Sequence, residues 1–225
     1  MKLSRFHNVN RCGNAADGFT MIEIALCLAI IGFALVAIIG ILPAGMQVQR
    51  DNREDTIINQ DATYWMETIR NGEQWIGELT NFVDSVMIVD DRGTNTFNNF
   101  ANSWEIIGLL TTPWTVSPIK LATNYAIVRA FSGPAAEKGA DPNVRDLAFK
   151  YLLRVDNREF VTGYDPYSPD AGTLANRLHE LRLSFAWPVL AGGRTGNSRQ
   201  VLRTLVSAEN VAVTNNNQTY WFFHH

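Results

Sequence analysis

The chain has 225 residues, 18% of them charged, and a formal net charge of -3, with lysine and arginine scattered along it rather than massed on one stretch. Such scatter argues against a nucleic-acid partner, which should show a basic stripe. Both cysteines, Cys12 and Cys27, fall in the first fifty residues, so the remainder folds without disulfides and has room for one domain of about 150 residues with its own core.

From Phe19 to Leu42 the sequence reads FTMIEIALCLAIIGFALVAIIGIL, and Glu23 is its one charged residue. As a helix this run spans roughly 36 Å, enough to cross the hydrocarbon core of a bilayer with some tilt. Lys2, Arg5 and Arg11 precede it against a single acid, Asp17, while Arg50 and Arg53 after it are matched by Asp51, Glu54 and Asp55. The excess of cations in front predicts a cytoplasmic start and an external remainder. A cleaved secretory signal would have a shorter apolar stretch, of about 7–15 residues, although Pro43, Ala44 and Gly45 imitate its small-residue cleavage site. Lipidation fits poorly, because Leu26 precedes Cys27 and Arg11 precedes Cys12. A plain signal anchor accounts for length and orientation but not for Glu23, since an acid near mid-membrane costs on the order of 2.5–3.5 kcal/mol on insertion scales.

A short basic leader ending at Gly18, then Phe19, Thr20 and Glu23 opening a long apolar helix, resembles the type IV prepilin and type II secretion pseudopilin family in residue type and spacing. The resemblance covers residues 1 to about 70 and fits a minor pilin-like or pseudopilin-like member. It implies that a membrane-embedded prepilin peptidase cuts between Gly18 and Phe19 and methylates the new amino end at Phe19. It further implies that Thr20 and Glu23 serve assembly, Glu23 of one subunit meeting the Phe19 amine of its neighbour. Glycine at the cut lets extended backbone enter a narrow cleft. A buried acid is tolerable when a partner charge neutralises it and costly when that partner is missing.

The resulting organisation is a leader over 1–18, a transmembrane and polymerisation helix over 19–42, its periplasmic continuation over 43–72, and a periplasmic globular domain over 73–225. Gly40 to Gly45, with Pro43, predicts a kink or local melting. Ile58, Ala62, Trp65 and Ile69 recur on one helical face, with Trp65 read as core and Gly72 as the stop. A second amphipathic stretch is predicted from Glu73 to about Val89, on Ile76, Leu79, Val83 and Val86, before a turn at DDRGTN. Asp90, Asp91 and Asn95 carry calcium-type oxygen ligands, but their spacing fits no defined loop and a solvated turn is preferred. Asp165 and Asp170, in YDPYSPD, receive the same reading, as part of a rigid surface loop.

Beyond residue 120 the period becomes two, with strands expected over Asn124 to Phe131, Asp146 to Val155, His179 to Trp187 and Gln200 to Ser207. Leu181, Leu183, Phe185 and Trp187 alternate against Arg182, Ser184 and Ala186, and PVLAGGRTGNSR reads as a long hairpin loop. LRLSFAWP followed by RTLVSAE is also similar to the terminal hairpin of minor pilins and pseudopilins. The predicted class is therefore α+β: a long membrane-spanning N-terminal helix packed on a C-terminal antiparallel β-sheet domain, pilin-like in plan.

No HExxH, Cys-x-x-Cys pair, phosphate loop or Gly-x-Ser-x-Gly occurs, and the histidines, His7, His179, His224 and His225, fall into no catalytic spacing. No catalytic residue, metal or cofactor is expected; the chain reads as the substrate of an enzyme. Two functions remain open. One is a structural subunit of a type IV pilus-like filament or type II secretion pseudopilus, with the prepilin peptidase, other pilin or pseudopilin subunits and the inner membrane as partners. The other is a single-pass, membrane-anchored periplasmic binding module, whose six tryptophans suit a contact surface but are read as mostly core.

Overall fold

The computed structural model describes residues 18–71, 79–116, 119–132, 149–160, 177–190 and 192–225. The leader up to Asp17, Gly72, Ile76, YDPYSPD and the start of the strand expected from Asp146 lie outside the described residues. The chain divides into two compact units, Met1–Asn52 and Arg53–His225, and helix α1, Met21–Asn71, contributes to both.

In the first unit α1 is built from alanine, leucine and isoleucine, and its apolar side chains are exposed from Met21 through Leu42. Of the kink or local melting expected at Gly40–Gly45, the melting is absent: helix continues through Pro43. Proline removes one intrahelical hydrogen bond, and the leucine, alanine, methionine and glutamine around it favour helix strongly enough to continue.

In the second unit, the remainder of α1 buries Ile57, Ile58, Asp61, Ala62, Trp65, Thr68 and Ile69, a helical stripe that contains the predicted face. Strands β1 (Val83–Asp90), β2 (Gly93–Phe97), β5 (Thr123–Arg129), β6 (Lys150–Glu159), β7 (Leu178–Val189) and β8 (Thr195–Ser207) form one six-stranded sheet in the order β2-β1-β5-β6-β7-β8. Every pairing is antiparallel. Helix α2 (Ser103–Leu110) and a short hairpin of β3 (Thr115–Val116) and β4 (Ile119–Lys120) occur between β2 and β5. A last hairpin, β9 (Glu209–Asn215) and β10 (Gln218–His224), makes a separate two-stranded sheet. The class is thus α+β, a long apolar N-terminal helix and a C-terminal antiparallel sheet.

Tyr151, Leu153 and Val155 of β6 and Leu181, Leu183, Phe185 and Trp187 of β7 alternate into the core as period two demands. A polar network joins α1 to this face. Trp65 Nε1 donates to the Tyr151 hydroxyl at 2.9 Å, and that hydroxyl donates to Asp61 Oδ2 at 3.1 Å. The Phe131 N–H and the Ser132 hydroxyl complete the carboxylate's shell at 3.0 and 2.6 Å. Burial pushes the Asp61 pKa above the ordinary aspartate value, outweighing the Ser132, Phe131 and Tyr151 donors that favour its ionised form. At the opposite end of the same face, buried Asn124 donates to the carbonyls of Leu110 and Thr112, and Asn157 to that of Thr111, satisfying carbonyls at the buried C-terminal end of α2.

The helical reading of Glu73 to Val89 is corrected: within it only a 3-10 turn, Leu79–Asn81, and β1 are found among the described residues. The cause is a bulge. Val83 pairs with Val128 and Ser85 with Ile127, so Asp84 is an extra residue that brings Val83 and Val86, three apart, to one buried face. The long hairpin loop is also corrected, because β8 begins at Thr195 and the turn after Val189 is tight, with Gly192 and Gly193 at φ of 85° and 78°.

Neither α2 nor the β9–β10 hairpin was expected, and the two depend on each other. The hairpin turns at Asn216 and Asn217, both at positive φ, and Tyr220 and Phe222 pack on Trp104 with ring centroids at 4.9 and 6.1 Å. A Cβ on Gly108 would come within 2.6 Å of the Tyr220 Cβ and 2.8 Å of Phe222 Cζ. Gly108→Val is therefore expected to displace the hairpin, lowering stability by about 1–3 kcal/mol. Thermal unfolding, with limited proteolysis mapped to residues 209–224, measures it.

Candidate functional site

Gly18, Phe19 and Thr20 precede the helix in non-helical backbone, and all three are exposed. No atom lies within 4 Å of where a Gly18 Cβ would stand, and Phe19 is 84% exposed. A peptidase cleft needs backbone in this condition, since helix hides its amides in internal hydrogen bonds.

Thr20 is the N-cap of α1, for its carbonyl accepts the first helical bond, from Ile24 N–H at 3.2 Å. The Thr20 hydroxyl accepts from Glu23 N–H at 3.4 Å, and Glu23 Oε2 accepts from both the Thr20 N–H and its hydroxyl at 2.8 Å. Thr20-x-x-Glu23 is thus a capping box, satisfying donors that an apolar helix cannot satisfy internally. Gly18, Phe19, Thr20 and Glu23 are close by sequence alone, and the structure adds a local role for Glu23 that the sequence reading passed over. The Thr-x-x-Glu spacing carried that signal. An acid in the first turn is also favourable to the helix dipole.

Among the described residues one helix, α1, is long and apolar enough to cross a membrane. No group of three His, Cys, Asp or Glu side chains able to hold a metal occurs among them. Asp90 is a turn former: its Oδ1 accepts from the Arg92 and Gly93 N–H groups at 2.8 and 3.0 Å. Of the tryptophans described, Trp65 and Trp187 are buried, while Trp104, Trp114 and Trp221 are half-buried, so fewer are core than expected.

A polar cleft of about 470 Å³ is lined by Thr80, Asn81, Asp84, Asn99, Phe100 and Arg129, with Val83 and Ala101. The bulged Asp84 lies 3.0 Å from Arg129 Nε and 3.0 Å from Lys150 Nζ, and Arg129 also donates to the Asn81 carbonyl. Its charges are engaged in tying β1 to β5 and β6. No protein-family model, curated protein or solved structure matches the chain.

Proposed function

We propose that the chain is the precursor of a prepilin-like subunit. A prepilin peptidase removes residues 1–18 between Gly18 and Phe19 and methylates the Phe19 amine. The apolar segment then holds the protein in the inner membrane as a single pass, start cytoplasmic and domain periplasmic, until it enters a type IV pilus-like filament or a secretion pseudopilus. The observation that carries this reading is the arrangement at the helix start: an exposed, non-helical Gly18–Phe19 bond followed at once by a capped apolar helix whose first turn holds Glu23. Mass spectrometry of the membrane fraction, from hosts with and without the peptidase, tests it. The expected result is a chain beginning at methylated Phe19 only where the peptidase is present; retention of residues 1–18 in both would overturn it.

The capping box favours a second reading, a membrane-anchored periplasmic binding module. Because Thr20 supplies Glu23 with donors, the acid has a task that requires no neighbouring subunit. Replacing the charge while keeping the cap separates the two.

A further inference from the structure

The sheet face opposite α1 gathers cations that are far apart in sequence. Register places Arg154 and Arg158 of β6, Arg182 of β7, and Arg199 and Arg203 of β8 on it, with Asp156 and Glu180 as the acids of these strands. Five arginines against two acids make a basic surface on a chain whose net charge is -3. Arg154 is matched by Asp156 at 3.0 Å.

The other four make no ion pair among the described residues, although register sets Asp156, already engaged by Arg154, opposite Arg182 and Glu180 opposite Arg158. Arg182 stands directly opposite Arg203 across the β7–β8 ladder, and its Nε is buried without a hydrogen-bond partner. Like charges directly opposite on a sheet destabilise it, and a buried guanidinium nitrogen without an acceptor adds to the cost. An anion between the two groups relieves both. Arg158 is held over the Trp114 ring, 4.4 Å from its centroid, and the Arg199 guanidinium is fixed by the Gly196 and Ser198 carbonyls. Their forks are thereby oriented in advance, which lowers the entropy lost on binding.

The outward positions of β8, an edge strand, read Arg199, Val201, Arg203 and Leu205, all exposed. Arginine interleaved with aliphatic side chains fits a phospholipid interface, where guanidinium groups meet phosphates and the aliphatics reach the acyl boundary. A nucleic-acid backbone offers the phosphates but nothing to the valine and leucine. We infer that this face docks on anionic phospholipid headgroups, with Arg182 and Arg203 sharing a phosphate. The inference rests on α1 being embedded in a bilayer, which brings the domain to a membrane surface; it does not depend on cleavage or polymerisation.

The test uses the full chain, Cys12 and Cys27 replaced by serine, with an environment-sensitive fluorophore at Val201→Cys, reconstituted in vesicles. Phosphatidylcholine alone should leave the probe water-exposed, and added phosphatidylglycerol should shift it to an apolar signal that salt reverses. Arg182→Gln with Arg203→Gln should weaken that response about thirty-fold, at about tenfold per 1.4 kcal/mol and roughly one arginine's surface attraction for each. Arg199→Gln with Arg203→Gln, at exposed positions, provides a second pair if the first unfolds, as circular dichroism would reveal. A signal indifferent to phosphatidylglycerol overturns the inference, as does one unchanged in a folded double variant. A shift with single-stranded DNA but not with phosphatidylglycerol also overturns it and assigns the face to another polyanion. Co-flotation of the chain with phosphatidylcholine vesicles reports α1 insertion separately, so loss of docking and loss of the anchor are distinguishable.

Discussion

A Glu23→Gln chain is expected to be processed at Gly18 and inserted normally, yet to enter filaments at least about a hundredfold less than the parent. Glutamine at the third helical position still reaches back to the Thr20 N–H, so the capping box survives the exchange. What disappears is the negative charge. If that charge neutralises the amine of a neighbouring Phe19 within the apolar bundle, its loss leaves a buried cation without a partner, at a cost of roughly 3–5 kcal/mol. Thr20→Val, which removes the hydroxyl but keeps the charge, is a smaller perturbation of about 1 kcal/mol. Shearing assembled material from cells and comparing it with membrane-bound subunit gives the ratio. Should Glu23→Gln assemble as the parent does while Glu23→Ala fails, capping is the whole task of Glu23 and the plain anchor is the better account.

Trp65→Ala is expected to destabilise the second unit by about 3–5 kcal/mol, the usual cost of removing a large buried aromatic side chain. The loss is more than volume. Trp65 is fully buried and donates to the Tyr151 hydroxyl, which holds Asp61, so truncation loosens the link between α1 and the sheet. Asp61 adds a pH signature. Its pKa is raised on folding, so the native state binds that proton more tightly than the unfolded chain does. The contribution is complete below the ordinary aspartate value and is lost as pH rises through the elevated folded value. Relative to Asp61→Asn, which cannot titrate, the parent should therefore lose stability across mildly acidic pH and then level off. Chemical denaturation of both chains over that range checks the sign; a difference that grows with pH would contradict it.

The sequence displayed α1 through a long apolar run followed by a helical stripe, and β7 through strict alternation. It concealed β1, since the bulge at Asp84 converts a strand into a spacing of three that mimics a helix. Helix α2 is only eight residues long, too short for a periodic signal, and the Asn216–Asn217 turn lacks the glycine that marks most such hairpins. At the proposed site the residues themselves were legible, but reading Glu23 as unexplained overlooked its own helix terminus. The basic face was hidden for another reason: its arginines come from three strands and become neighbours only through register, so scatter along the chain was poor evidence about the surface.

The continuity of α1 through Pro43 has a mechanical consequence. The helix that carries the exposed apolar segment is covalently the same rod that supplies Ile58, Trp65 and Ile69 to the domain's interior. Within the second unit, a pull along α1 is borne as shear on the Asp61–Tyr151–Trp65 contacts and on the stripe the helix buries there. Those hydrogen bonds and the buried Ile58, Trp65 and Ile69 together resist withdrawal of α1 from the domain.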